Sequence, residues 1–197
     1  ILRVSLRIIG GEYRGRVLRT RRGNDTRPLL GQVREAVFNI LTGRIEGAEV
    51  WDLFAGSGAS GIEALSRGAA RVLFVEKSNQ ALHALRENLG LLGASAKERS
   101  HVLRVDAWEP PPFRPRGEAT EVPPDVVFFD PPYPAVAEDP VRAVCRARAI
   151  VDRLADGGVM CFHFREGHLH PDDFDRDLDV EMRSWGTTVF AFLSRRA

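Results

Sequence analysis

Val33, Val37, Ile40 and Leu41 recur at i, i+4, i+7 and i+8, with Gly43 as a stop, and predict one amphipathic helix. Before it, Leu6-Arg7-Ile8-Ile9 and Arg16-Val17-Leu18-Arg19 are short strand-like runs separated by Gly10-Gly11 and Gly15, which predicts a β-hairpin. Beyond it, two periods alternate. Strands are predicted at 49–53, 71–76, 101–105, 125–129 and 158–164, and helices at 60–67, 78–92 and 138–155, with Gly68 and Gly93 closing the first two. The proline-rich segment 110–124 predicts a loop, and 177–194 predicts two strands meeting near Trp185-Gly186. Strands that alternate with helices imply parallel pairing, with ligands at the strands' C-terminal ends. The expected fold is therefore α/β: a Rossmann-like, mostly parallel sheet with a C-terminal antiparallel hairpin and a small N-terminal hairpin extension. The expected organisation is an arm over 1–30 and one domain over 31–197.

Composition narrows the class without deciding it. A chain of 197 residues, 44% hydrophobic, can bury a sizeable core. No apolar stretch approaches the roughly 20 residues that cross a bilayer, and no signal-peptide pattern is visible, so a cytoplasmic protein is expected. Cys145 and Cys161, the only cysteines, fall in apolar stretches and read as buried thiols. Net charge is +1, but residues 1–34 carry nine arginines against Glu12 and Asp25, a local balance of +7, which leaves −6 for the remainder. Arginine over lysine could reflect codon usage; the clustering could not. A basic arm on a near-neutral to acidic body points to a polyanion, with Arg14, Arg16, Arg27 and Arg34 as phosphate contacts.

Two motifs carry chemistry. In Val50-Trp51-Asp52-Leu53-Phe54-Ala55-Gly56-Ser57-Gly58-Ala59-Ser60-Gly61, three glycines take the spacing of a dinucleotide fingerprint between a strand and a helix, and Glu76 ends the next strand. Glycines let the backbone approach a ligand, and Glu76 suits a ribose diol. Nicotinamide, flavin and S-adenosylmethionine sites share these needs. Asp52 shifts the balance, because a carboxylate there repels pyrophosphate and suits the cationic amino group of a methionine moiety.

The second motif, Asp130-Pro131-Pro132-Tyr133, follows the apolar run Val126-Val127-Phe128-Phe129. An acid at a strand end, a proline-stiffened turn and an aromatic beyond it can hold a flat, amino-bearing ring at fixed height. Such an amine is a poor nucleophile, because its lone pair is delocalised into the ring. Hydrogen bonds to Asp130 and the Pro131 carbonyl would favour a pyramidal nitrogen, while Tyr133 stacks on the ring. The motif therefore suits methylation of an exocyclic nitrogen of a nucleobase.

Together, Asp52-Leu53-Phe54-Ala55-Gly56-Ser57-Gly58, Glu63-Ala64-Leu65-Ser66-Arg67-Gly68-Ala69, Glu76 and Asp130-Pro131-Pro132-Tyr133 resemble the RsmD family. So do Arg7-Ile8-Ile9-Gly10-Gly11, Arg14-Gly15-Arg16, Arg27-Pro28, the run Val33 to Leu41, and Trp185-Gly186 with Thr188, so the similarity runs nearly end to end. The resemblance implies a class I methyltransferase fold and transfer of a methyl group from S-adenosyl-L-methionine to the N2 amino group of a guanine in small-subunit (16S) ribosomal RNA. It implies that Asp52 and Phe54, Ala55, Gly56, Ser57 and Gly58 hold the methionine part. Glu76 would take the ribose, with Lys77 beside it, and Asp106-Ala107 would meet the adenine. It implies Asp130, Pro131, Pro132 and Tyr133 as the catalytic set, ribosomal RNA or the small subunit as partner, and a monomer. One departure stands out: the family usually has Thr-Thr-Asp-Arg after the Arg-Pro, where this chain has Leu29-Leu30-Gly31-Gln32.

Rival readings use parts of the pattern. A DNA adenine-N6 or cytosine-N4 methyltransferase would share Asp130 to Tyr133 but usually needs a larger recognition region. A nicotinamide oxidoreductase would share the glycine loop but leaves Asp130 without a role. A catalytically idle nucleic-acid-binding protein would be signalled by loss of Asp130 or Tyr133, and both are present. His163, His168 and His170 lie close in sequence but lack metal-ligand spacing and read as surface histidines, so no metal is expected.

Overall fold

Parallel strands buried on both faces need continuous apolar runs, and this chain supplies them in short pieces. The computed structural model describes residues 6–19, 28–115 and 120–196. They divide into two compact units, 1–107 and 108–197.

In the first unit, β1 (Leu6–Arg7) pairs antiparallel with β2 (Val17–Leu18), and α1 (Pro28–Ile40) follows. Three parallel strands, β3 (Glu49–Leu53), β4 (Arg71–Val75) and β5 (Ser100–Leu103), lie in the order β5-β4-β3. Val50 pairs with Val72, and Val72 with Ser100. Their connections are α2 (Ala59–Ser66), α3 (Asn79–Leu92) and the short α4 (Ala94–Glu98). Ser78 caps α3 by accepting from the Ala81 N–H, and Leu82, Leu85, Leu89 and Leu92 bury one face of it.

In the second unit, β6 (Val126–Phe129) leads into α5 (Tyr133–Glu138), α6 (Pro140–Val151) and β7 (Val159–Arg165), which pairs parallel with β6. A 3₁₀ turn at Pro171–Asp173 precedes β8 (Leu178–Trp185) and β9 (Thr188–Arg195), and the order is β6-β7-β9-β8. Asp139 caps α6 by accepting from the Arg142 N–H, with Pro140 at the first helical position. The predicted Rossmann-like, mostly parallel pattern and both hairpins are present.

The differences from expectation are local. The predicted helix 138–155 is shorter, α6 over Pro140–Val151, and a further helix that was not expected, α5, runs over Tyr133–Glu138 and stops before Asp139-Pro140. A short α4 follows Gly93, which has φ +99°. Helix α1 begins at Pro28, so Leu29-Leu30-Gly31-Gln32 forms its first turn. Cys145 is exposed on α6, a correction to the buried thiol expected there; Cys161, in β7, is buried.

The arm is built into the first unit. Leu6, Ile8, Tyr13 and Leu18 are all under 9% exposed. Glu63 on α2 has no exposed surface, and its two carboxylate oxygens accept from the Ile9 and Gly10 N–H groups at 2.8 Å each. Arg67 Nε donates to the same carboxylate at 2.8 Å, and Arg34 Nε lies 3.9 Å away. Ser66 Oγ accepts from the Tyr13 N–H and donates to the Gly10 carbonyl. Removing Glu63 leaves two backbone donors and two cations facing a low-dielectric interior. Glu63→Ala should therefore lower unfolding stability by about 3 kcal/mol in urea titrations and open residues 6–19 to protease, whereas Glu87→Ala, at a half-exposed pair, should change neither.

Candidate functional site

Each strand of the first unit delivers its C-terminal end to a loop, and the sequence-predicted cofactor residues lie on those ends. Phe54 to Gly58 follow β3, Glu76 and Lys77 follow β4, and Asp106-Ala107 come after β5. Phe54 has φ +62°, the one non-glycine residue in the left-handed region among the described residues. The loop is tied to the next strand: Glu76 accepts from the Gly56 N–H at 3.0 Å and, through its other oxygen, from the Ser78 N–H at 2.7 Å. Each oxygen keeps a further lone pair for a ligand hydroxyl.

Two glycines of the fingerprint do different jobs. A methyl group on Gly61 would lie 2.3 Å from the Phe74 ring and 2.9 Å from Asp52 Oδ2, so helix α2 and its strands need that position bare. Gly56, at φ +56°, would place a methyl group 4.0 Å from its nearest neighbour, the Phe54 carbonyl, which leaves an open cradle that a side chain would fill. Asp52 lies beneath this loop. It is 3% exposed, and its Oδ2 accepts from the Gly61 N–H at 2.8 Å. The buried carboxylate shapes the turn on which a ligand would rest. Lys77 and Asp106 are exposed and form a 3.3 Å pair, and Ala107 is buried. A half-buried carboxylate, an open glycine backbone and flanking polar groups fit an adenosyl-methionine ligand.

Asn88 joins this loop to the arm. Fully buried, it donates through Nδ2 to the carbonyls of Ser57 (2.9 Å) and Arg19 (3.0 Å) and accepts through Oδ1 from the Arg19 N–H at 2.7 Å. Among the arginines expected to meet phosphate, Arg14 and Arg16 are exposed, and Arg16 donates to the Leu91 carbonyl with its guanidinium 5.0 Å from the Tyr13 ring centroid. Arg27 lies outside the described residues. Arg34 is drawn into the fold: its side chain is 11% exposed and donates to the Arg7 carbonyl, and burial pushes its guanidinium below its ordinary value while Glu63 opposes the shift.

In the second unit, Asp130 and Tyr133 come together around a residue that the sequence reading placed on the surface. His163 is buried, and this corrects that reading. Phe129 pairs with Phe162 across the parallel strands, so one step further Asp130 stands level with His163 on the opposite face from the two phenylalanines. Asp130 Oδ1 lies 2.7 Å from His163 Nδ1, and Tyr133 Oη lies 2.7 Å from His163 Nε2. The imidazole stacks on Phe190 at 4.5 Å and 4°. Pro131 is buried and Pro132 exposed at the turn, and Tyr133 opens α5. Burial raises the Tyr133 phenol above its usual range, with Thr188 hydrogen-bonding to it in opposition. The signal for His163 was a polar residue inside the apolar run Val159 to Phe164, next to the strand that ends at Asp130. His168 is half-buried and meets the Tyr133 ring edge-on at 6.3 Å, while His170 is exposed.

Comparison with known proteins bears on this arrangement. A family profile described as Conserved hypothetical protein 95 matches residues 6–194. Ribosomal RNA small subunit methyltransferase D of Haemophilus influenzae is 36% identical over 144 residues, covering 72% of this chain and 71% of that protein. The chain belongs to the RsmD family. YlbH of Bacillus subtilis is 31% identical over 195 residues, 97% of this chain and 100% of its own length. The solved structure of yhhF from Escherichia coli superposes with TM-score 0.74 at 28% identity, covering 98% of this RsmD-family chain and 99% of the other.

The two glycines separate folding from binding in a measurable way. Gly56→Ala should lower stability by only about 1 kcal/mol, the cost of a side chain in the left-handed region, yet abolish S-adenosylmethionine binding in calorimetry. Gly61→Ala should cost more than Gly56→Ala in a thermal melt, because the Phe74 ring has to move.

Proposed function

We propose that the chain transfers a methyl group from S-adenosylmethionine to the N2 amino group of a guanine in small-subunit ribosomal RNA. The observation that carries the chemistry is the half-exposed carboxylate of Asp130 (side chain 54% exposed), held through Oδ1 beside the Tyr133 ring. The substrate class rests on the family and on relatives named as small-subunit ribosomal RNA methyltransferases.

Asp130 Oδ2 and the Pro131 carbonyl would accept the two N–H groups of the base amine, directing the nitrogen lone pair out of the ring plane. Tyr133 would stack on the base, which must first leave its own stack. Bound S-adenosylmethionine supplies a methyl group on a cationic sulfur, a leaving group that needs no protonation. As the N–C bond forms, the S–C bond breaks and its electron pair stays on sulfur. The nitrogen, cationic after transfer, then loses a proton to Asp130 or to water. Asp130 therefore acts by position and charge and does not have to be a strong base beforehand.

Phe54, Ala55, Gly56, Ser57 and Gly58 would hold the methionine end over buried Asp52, Glu76 the ribose with Lys77 beside it, and Asp106-Ala107 the adenine. In this reading residues 1–30 are a basic arm that meets RNA phosphates through Arg14, Arg16 and Arg27, and 31–197 are the transferase domain.

Labelled methyl groups offered with naked RNA, assembled small subunits and duplex DNA should appear in N2-methylguanosine of RNA. Label in adenine or cytosine of DNA would overturn the assignment in favour of the DNA enzyme. Asp130→Ala should abolish turnover, a loss of at least about a thousandfold, with cofactor affinity within about twofold of the parent. Replacing Arg14 and Arg16 together by Gln should flatten the slope of log affinity against log salt by about 1–2, measured by filter binding, without a change in melting temperature.

A further inference from the structure

For a neutral imidazole, the hydrogen bonds around His163 have a single consistent direction. A carboxylate only accepts, so the 2.7 Å contact to Asp130 Oδ1 requires the proton on His163 Nδ1. A neutral imidazole then presents Nε2 as an acceptor, and the Tyr133 hydroxyl, 2.7 Å away, is the donor. Donors therefore run one way, from Tyr133 to His163 to Asp130. The opposite tautomer would set the Nδ1 lone pair against the carboxylate.

Packing fixes the imidazole as firmly as its hydrogen bonds do. Its side chain is 10% exposed, its face stacks on Phe190, and its neighbour across the antiparallel pair is that same Phe190. The Tyr133 ring meets it edge-on, with centroids 5.2 Å apart and planes at 78°. One rigid ring thus sets the rotamer of the carboxylate and the plane of the phenol together. It uses only Oδ1, and leaves Oδ2 of a half-exposed side chain for a donor from outside.

We propose that His163 is a positioning residue for the transfer reaction: it locks Asp130 and Tyr133 into one unit, so that the base amine meets a carboxylate already turned toward it. This rests on the assignment of Asp130 and Tyr133 to the base. A carboxylate free to rotate would lose the alignment of the nitrogen lone pair, and misplacement on the scale of 1 Å costs about a hundredfold in rate.

The test compares His163→Phe, which fills the volume without hydrogen bonds, with His163→Asn, whose amide reaches the Nδ1 position and can donate to Asp130. His163→Phe should lower kcat by about 10- to 100-fold, with the KM values for S-adenosylmethionine and RNA within about threefold. His163→Asn should restore a substantial part of the loss. Nitrogen NMR of the parent protein, labelled at histidine, should show His163 protonated at Nδ1 and bare at Nε2, a readout that does not depend on either variant folding. A folded His163→Phe protein with parental kcat, Asn no better than Phe, or the reversed tautomer would each overturn the proposal. Asp130→Ala separates it from the reading beneath: retained transfer in that variant sinks the assignment of Asp130, whereas lost transfer alongside a fully active His163→Phe sinks the role of His163 alone.

Discussion

A carboxylate with no exposed surface has to find its hydrogen bonds inside the protein, and Glu63 finds them in the backbone of the arm. That requirement turns a basic, glycine-rich segment into part of the first unit. Arg67 and Arg34 gather on the same carboxylate, and Ser66, one turn on, pins Tyr13 and Gly10. Helix α2 is the helix that leaves the glycine loop, so the element that shapes that loop also carries the arm. Asn88 repeats the arrangement from α3, holding Arg19 by both its N–H and carbonyl while bonding to the Ser57 carbonyl in the loop. Charge at the arm and geometry at the loop are thus linked by fully buried side chains whose partners cannot be exchanged for water.

The second unit depends on a different constraint, the alternation of side chains across parallel strands. Pairing of Phe129 with Phe162 sends both rings to one face, and the next residue on each strand to the other. Asp130 and His163 meet for that reason alone. The proline pair then carries the chain through a turn that starts α5 at Tyr133, close enough to reach the second imidazole nitrogen. Three residues separated in sequence become one hydrogen-bonded group through strand register and one stiff turn.

Much of this was legible in the chain. Runs such as Val50 to Leu53, Val72 to Val75 and Val126 to Phe129 announced buried parallel strands, and Gly43, Gly68 and Gly93 marked helix ends. The motifs stood where strands stop, which is where a sheet of this kind exposes backbone to ligands. The misreadings share one cause, the treatment of a residue type by its average habit. His163 was grouped with His168 and His170 as a surface histidine because the three lack metal-ligand spacing; its neighbour Asp130 was visible, but the register joining them was not. Cys145 was assigned to the interior because thiols usually are buried, and it falls on the solvent side of α6. Arg34 belonged by composition to a basic arm, yet its position on α1 brings it to Glu63.

By itself the sequence determined the order and kind of most elements, the glycine loop and the Asp-Pro-Pro-Tyr turn. These depend on local physics: periodicity, backbone freedom at glycine and stiffness at proline act within a few residues of where they are written. Only the tertiary structure decided which polar side chains are buried and with whom. Asp130 finds His163 across 33 residues, Ile9 finds Glu63 across 54, and Arg19 finds Asn88 across 69. No periodicity spans such separations; the partner is chosen by strand register and helix packing, and a buried polar group then takes whichever donor or acceptor that packing delivers.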